Sequence, residues 1–251
     1  MPSFDQTPDK PQSFGFKVLW FAVKATDPAS VLDALEFGET TPANWESGLA
    51  AVFSGGAPRG DDRWVFVSPA VSGWVLVVGS SLPYPTIETH DDIGKRFDVL
   101  FSRLMKRFAN VQFFGSHRVV DFVTWARALN GKPIRIFSYA QEVMVNFGEQ
   151  APEEAKLGFV NLGGLSPSEA EDEIFRICGE LDAEQSKLEA SGLSTREVLA
   201  RIRQNGRRAF PDESAVVDLA GLWSVDPSRL SEQDHPPGLG LAARLPENLK
   251  Q

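Results

Sequence analysis

Residues 111–147, VQFFGSHRVVDFVTWARALNGKPIRIFSYAQEVMVNF, decide the fold because they read as an antiparallel meander. Apolar, β-prone runs within this stretch are separated by short polar breaks. These runs are Val111–Phe114, Val119–Leu129, Ile134–Tyr139 and Val143–Phe147. Asn130-Gly131 joins the two longest runs and favours a type I′ hairpin, because both residues accept the positive φ that this turn requires. The stretch therefore predicts neighbouring antiparallel strands.

The residues before this meander predict further strands and the helices that cover them. Phe16–Lys24 is almost continuously apolar, which is typical of a central strand covered on both faces. Trp64–Val67 and Trp74–Val78 are two short runs that we expect to pair antiparallel. Asp27-Pro28 and Thr41-Pro42 each predict the start of a helix, by N-cap and N1 proline. A longer helix is predicted over 91–110, from a single apolar stripe of 3.6-residue period.

Together these elements predict an α+β fold with α/β/α layering, in which helices cover a largely antiparallel sheet of about six or seven strands. The chain has 251 residues and 42% hydrophobic content, which suits one sizeable domain. We expect a flexible lead-in at 1–14, a single domain over 15–233 and a surface tail at 234–251. Within the domain, 162–211 is charged and helix-prone, and we interpret it as a helical elaboration. A last helical pair over 212–222 and from 226 onward is expected to return Leu222 and Trp223 to the core.

Charge and composition narrow the classes of function. The net charge of −9 disfavours a nucleic-acid binder, because affinity for a polyanion comes largely from Lys and Arg contacts to phosphate. An acidic protein is suited to a basic partner, although acidity for solubility alone explains the same charge. Neither a basic leader followed by an apolar run nor a stretch of about 20 apolar residues occurs, so we expect a cytoplasmic protein without membrane contact. The lone Cys178 agrees with a reducing compartment.

Metal and cofactor motifs are missing from the sequence. His90, His117 and His235 lie far apart, with no HxH, HExxH or CxxC pattern. His90-Asp91-Asp92 offers oxygen and nitrogen ligands, but acidic residues at a helix start are explained equally by the helix dipole. We therefore predict no metal and no cofactor.

One constellation has the residue types of a reaction centre. His117 and Arg118 stand directly before an apolar run that contains Asp121. A site that removes a proton from a bound anion needs a base and a cation, and these residues supply an imidazole, a guanidinium and a carboxylate. Alternation along a strand puts His117 and Asp121 on one face but about 13 Å apart, too far for a direct hydrogen bond. A structural His at a strand turn is the competing interpretation.

At these residues the chain resembles a family. The segment Val111–Phe122, Trp125 with Arg127-Ala128, and the segment Asp212–Pro227 are similar to bacterial immunity proteins of type VI secretion systems, the antidotes to nuclease effectors. The resemblance covers roughly 60–160 and 210–230, whereas 162–210 does not match. It implies a non-catalytic cytoplasmic protein that binds a toxin domain, and it supplies no catalytic residues.

The leading hypothesis is thus an immunity protein that presents carboxylates to a basic toxin. Clustering of acidic residues picks out the following partner-binding residues: Asp91, Asp92, Glu169, Glu171, Asp172, Glu173 and Glu180. Solvated helix faces would show the same clustering. Two alternatives stay open: a small-molecule hydrolase or transferase using a pocket of His117, Arg118 and Asp121, and an adaptor or chaperone for a secretion effector.

Overall fold

An open antiparallel sheet of nine strands organises the part of the chain that this computed structural model describes, residues 2–54, 63–87, 92–204 and 206–249. The strands are β1 Leu19–Val23, β2 Thr40–Ala43, β3 Trp64–Val67, β4 Val75–Gly79, β5 Asn110–His117, β6 Phe122–Leu129, β7 Lys132–Ala140, β8 Glu142–Phe147 and β9 Gly240–Arg244. Their order across the sheet is β2-β9-β3-β4-β1-β5-β6-β7-β8. The α+β class and the antiparallel sheet are as predicted.

Helices pack on both faces of the sheet. They are α1 Pro28–Leu35, α2 Trp45–Ser54, α3 Ile93–Arg107, α4 Pro152–Lys156, α5 Pro167–Ala190, α6 Thr195–Gln204 and α7 Glu213–Trp223. One hydrophobic cluster joins the buried sides of α1 and α3 to the sheet face that carries Phe21 and Phe113. A second cluster joins α2, α5 and α7 to the opposite face, which carries Trp20 and Phe114. Short 3₁₀ turns lie at Arg118–Val120, Pro227–Glu232 and Glu247–Leu249.

The predicted central strand and the predicted meander are confirmed. Strand β1 lies between β4 and β5, and all five of its residues are buried. Strands β5 to β8 pair in sequence order, with Leu129 opposite Lys132 across the two-residue turn. Asn130 and Gly131 have φ of 49° and 78°, as a type I′ turn requires. Local turn chemistry and apolar runs were therefore sufficient for this half of the sheet.

The prediction of about six or seven strands was too low, because β2 and β9 were missed. Strand β9 lies between β2 and β3, and Ala242 and Ala243 fill its two buried faces. The segment 234–251 was expected to cover the surface, yet it supplies this interior strand. The segment gave no strand signal because its residues are small and follow a run of Pro and Gly. Its pairing partner β3 is distant in sequence, so only tertiary contacts select the strand.

The start of the second helix was predicted wrongly. Thr41-Pro42 belongs to β2, on the edge of the sheet where a missing proline N–H costs no ladder bond. Helix α2 begins at Trp45. Its first amides are bound by Asp9, whose Oδ1 accepts from Trp45 N at 2.7 Å and whose Oδ2 accepts from Glu46 N at 3.0 Å. A residue of the N-terminal segment thus caps a helix that begins 36 positions later.

Replacing Asp9 with Ala should lower the free energy of unfolding by about 1 kcal/mol, the usual cost of losing a helix N-cap acceptor. Urea unfolding followed by circular dichroism measures the change. Lys10→Ala is the matched control, since Lys10 makes an exposed ion pair with Asp234 at 3.3 Å and should leave stability nearly unchanged. Equal stability of the Asp9→Ala and Lys10→Ala proteins would show that residues 2–14 do not support α2.

A buried ion pair ties the far end of the sheet to α4. Arg135 and Glu154 are 2% and 1% exposed, and Arg135 Nε donates to both oxygens of Glu154 at 3.1 Å. Trp125 Nε1 and the Ala151 amide donate to the same carboxylate at 2.9 and 2.6 Å. Asn146 Oδ1 accepts from the Arg135 guanidinium at 2.6 Å. Each charge is therefore compensated by several hydrogen bonds, as buried ions require.

The helical segment over 162–211 packs on the sheet through its first turns. Ala170 and Ile174 of α5 are buried in the same cluster as Trp20, whereas Phe175 is exposed. Two capping boxes begin its helices: Glu169 accepts from Ser166, and Glu197 accepts from Ser194. Leu222, expected in the core, lies on the exposed side of α7. No helix of the described residues has both the length and the apolar composition that crossing a bilayer requires.

Candidate functional site

The connection between β5 and β6 is a tight turn rather than part of a strand. Strand β5 ends at His117, which pairs with Phe122 at the start of β6. Arg118–Val120 form a 3₁₀ turn, and Asp121 closes it in the left-handed conformation with φ of 49°. The prediction that Val119–Leu129 is one strand was therefore wrong, and His117 and Asp121 do not share a strand face. An Asp takes the left-handed conformation more readily than a β-branched residue, so the reversal falls after Val120.

Two clefts open beside this turn, and Lys17 and Phe122 belong to the linings of both. The larger, which we call the acidic cleft, has a volume of about 760 Å³. Its lining consists of Phe16, Lys17, Arg118, Asp121, Phe122, Val123, Tyr139, Phe210, Pro211, Asp212, Glu213 and Ser214. The smaller, which we call the basic cleft, has a volume of about 360 Å³. Its lining consists of Lys17, Val18, Leu19, Ser80, Tyr84, Ser116, His117, Val120, Phe122 and Ala140.

The predicted pocket of His117, Arg118 and Asp121 is divided between these clefts. Arg118 and Asp121 line the acidic cleft, whereas His117 lines the basic cleft. Strand β5 ends at His117, and Arg118 already belongs to the 3₁₀ turn. Ser116 lines the basic cleft with His117, and its Oγ donates to Glu213 of the acidic cleft at 3.2 Å. The three groups are not brought together around one space.

Aromatic side chains from separate segments form the walls of the acidic cleft. Tyr139 at the end of β7 contacts Phe210, with ring centroids 5.4 Å apart. Phe16 precedes β1 and is distant from both in sequence, but it lines the same cleft. Phe16 and Phe210 are 45% and 40% exposed, more than large apolar residues of a sealed core. Exposed aromatic residues at the rim of a concave surface are typical of protein-binding sites.

Carboxylates outnumber cations around this cleft. Asp121, Asp212 and Glu213 line it together with Lys17 and Arg118. Asp212 caps α7 by accepting from Ala215 N at 2.8 Å, and Glu213 accepts from Arg118 N at 3.2 Å. Two of the carboxylates are thus held in place by the backbone around them.

Tyr139 is the ionisable group whose pKa is shifted in the acidic cleft. Burial raises the pKa of its hydroxyl, and the charges of Glu171 and Asp121 raise that pKa further. Both carboxylates therefore act on the same space from different elements, α5 and the β5–β6 turn. A negative potential beside an aromatic wall favours a Lys or Arg side chain, which gains both charge attraction and stacking on the ring.

Unusual backbone conformations collect at this end of the sheet. Lys17, Asp121 and Gln141 are non-glycine residues with φ of 54°, 49° and 64°. They lie in the segments before β1, between β5 and β6, and between β7 and β8. Such conformations cost free energy and occur preferentially at ligand-binding positions. Of these three residues, Lys17 lines both clefts and Asp121 lines the acidic cleft.

The partner-binding residues predicted from charge do not form one surface. Asp92 precedes α3 and pairs with Lys95 at 2.6 Å, on the face of the sheet opposite to α5. Glu169 is engaged in its capping box, and Glu173 and Glu180 both pair with Arg176. Glu171 is half-buried towards Tyr139, Asp172 is exposed, and Asp91 lies outside the described residues. Within the predicted set, Glu171 is the residue that acts on the acidic cleft.

Sequence reasoning missed most of the lining of this cleft. Lys17, Tyr139, Phe210 and Glu213 come from segments that only the fold brings together. Asp212 was recognised as part of a resembling segment but not as a cleft residue. Arg118 and Asp121 were predicted as pocket residues and do line this cleft, but no spacing rule connects them to Lys17, Tyr139 or Phe210.

Neither metal ligands among the described residues nor similar proteins identify the function of these clefts. Across the described ranges, no group of three or more His, Cys, Asp or Glu is placed to hold a metal ion. The pair His90-Asp91 of the predicted alternative lies outside those ranges. Comparison of the chain with protein-family models, curated proteins and solved structures finds no significant match in any of the three.

Proposed function

We propose that this protein is a non-catalytic, cytoplasmic immunity protein that neutralises a secreted toxin, in the first instance a type VI nuclease effector, by binding a basic segment of it at the acidic cleft. The observation that carries the proposal is the combination of exposed aromatic walls and surplus carboxylates in one open cleft. Interfaces commonly place aromatic anchors at their centre and complementary charge around them.

The chemistry of a nuclease agrees with this choice of partner. A toxin that holds nucleic acid needs Lys and Arg against phosphate, so its functional surface is cationic. An acidic protein of net charge −9 is drawn to such a surface and associates faster with it at low ionic strength. Covering those cations deprives the toxin of its contacts with substrate, and inhibition then requires no reaction.

The alternative of a hydrolase or transferase has weaker support. It needs His117, Arg118 and Asp121 around one bound molecule, and they line two different clefts. The adaptor alternative predicts a partner whose export, rather than toxicity, depends on this protein, and the following experiment separates the two.

The test is capture from the native strain followed by protection. The captured partner is expressed in a bacterial host with and without this protein, and we expect that growth is restored only by co-expression. A partner that is not toxic, or one whose toxicity is unaffected, would contradict the immunity proposal. The purified complex should also weaken as salt is raised, because part of the attraction is between exposed charges.

Charge-neutralising variants test the cleft itself. Asp121→Asn combined with Glu171→Gln should weaken the complex at least about tenfold, because both replacements keep the shape and remove negative charge beside Tyr139. Asn accepts the left-handed conformation at position 121, so the turn is preserved. Asp33→Asn is the matched control, because Asp33 lies on the exposed side of α1, across the sheet from the acidic cleft. Equal affinity of the double variant and the control, by calorimetry, would place the interface elsewhere.

A further inference from the structure

We infer that the basic cleft binds a small amphiphilic anion, a carboxylate that carries a short apolar tail. This inference does not rest on the proposed function: the two clefts share Lys17 and Phe122, but His117, Tyr84 and Val120 line only the basic cleft. Its volume of about 360 Å³ lies within the range of small-molecule sites.

One ammonium group and one imidazole ring are available to a bound anion at this cleft. Lys17 and His117 line it, and its described lining contains no Asp or Glu. Elsewhere in the described part of the chain, Lys95 pairs with Asp92 and Lys24 lies over the ring of Trp74. Among the interactions of the described residues, none joins the Lys17 ammonium or the His117 ring to an acceptor. The Lys17 ammonium attracts negative charge and the His117 ring can donate a hydrogen bond, and the two together favour an anion there.

The backbone at Lys17 adds a second observation. Its φ of 54° places a non-glycine residue in the left-handed region immediately before β1. This conformation costs about 1 kcal/mol or more for an L-residue and is retained where the surrounding structure requires it. It directs the exposed Lys17 to the mouth of both clefts.

The remaining wall of the cleft is apolar. Tyr84 and Phe122 contact each other with ring centroids 4.7 Å apart, and Val18 and Leu19 lie behind them. Val120 is 48% exposed on the rim. A tail placed against these groups buries its methylenes while the carboxylate stays beside Lys17 and His117. A ligand with both a charged head and a tail therefore fits better than an inorganic anion.

Isothermal titration of the purified protein with octanoate tests this inference. We expect saturable binding, with affinity rising about three- to fourfold for each methylene from butanoate to octanoate. Inorganic phosphate and the neutral 1-octanol should each bind at least about tenfold more weakly than octanoate. Equal binding of octanol would show an apolar cleft without anion selectivity, and absence of saturable octanoate binding would overturn the site.

Variants locate the binding in the same experiment. Lys17→Met and His117→Gln should each weaken octanoate binding at least about fivefold. Lys95→Met, on the exposed side of α3, should leave the affinity unchanged. In the unmodified protein, octanoate should shift the ring resonances of His117 and leave those of His235 in place. Unchanged affinity in Lys17→Met, or no shift at His117, would overturn the assignment. Failure of the toxin assay above leaves this result unaffected, since no partner is present.

Discussion

A chain that ends at Gln233 should fail to fold, because it lacks the strand that joins β2 to β3. Strand β9 is hydrogen-bonded on both sides, and the residues after it bury Leu245 and Leu249. Without it, β3 would become an edge whose apolar residues and open backbone groups promote aggregation. We expect insoluble protein, or soluble protein with no cooperative unfolding transition in urea. A surface tail, by contrast, would be dispensable.

Point variants make this prediction independent of solubility. A Cβ at Gly240 would lie 2.3 Å from the Val67 carbonyl oxygen, so Gly240→Ala forces β9 away from β3 and should cost about 1–3 kcal/mol or more. Asp234→Ala is the control, since that side chain is 97% exposed. A truncated chain with the unfolding midpoint of the full chain, or a Gly240→Ala protein as stable as the control, would contradict the position of β9.

Replacing Glu154 with Leu should lower the free energy of unfolding by about 3–5 kcal/mol, the usual cost of breaking a buried ion pair by removing one partner. The change leaves the Arg135 guanidinium buried without its counter-ion. It also removes the acceptor of Trp125 Nε1 and of the Ala151 amide. Urea unfolding followed by far-ultraviolet circular dichroism measures the loss, since Trp125 fluorescence would respond to the substitution directly.

The double variant separates charge from packing. Arg135→Met with Glu154→Leu should recover a large part of the loss, because no uncompensated charge then remains in the core. Glu173→Leu removes one partner of the exposed pair with Arg176 on α5 and should change stability little. If Glu154→Leu were no more harmful than Glu173→Leu, or if the double variant were worse than the single one, the ion pair would not be the cause.

Local sequence features predicted some elements of the fold and missed others. The β6–β7 hairpin was predictable because Asn130-Gly131 imposes a turn that the flanking apolar runs can extend. Helix α1 was predictable because Asp27 accepts from the amides of Ala29 and Ser30 two and three residues ahead. The β5–β6 turn was not, because Val119 and Val120 look like strand residues, and the reversal depends on Asp121 adopting a left-handed conformation.

Local sequence features also failed to predict which residues line each of the two clefts. Arg118 and His117 are adjacent in sequence, yet they line different clefts, because β5 ends at His117 and Arg118 begins the 3₁₀ turn. The aromatic wall of the acidic cleft depends on the fold. It forms because the start of β1, the end of β7 and the segment before α7 meet there, and these supply Phe16, Tyr139 and Phe210. Charge clustering placed Glu171 and Glu173 in one set, and it could not distinguish Glu171, whose charge acts on Tyr139, from Glu173, which pairs with Arg176.

The sequence by itself determined the α+β class, the central position of β1, the antiparallel meander and the acidic charge, because apolar periodicity, caps and turn residues act over a few positions. The tertiary structure decided the ninth strand, the cap that Asp9 gives to α2, the buried Arg135–Glu154 pair and the composition of both clefts. Each of these joins residues that are separated along the chain, and such contacts are selected by the packing of the whole sheet rather than by the preferences of any one segment.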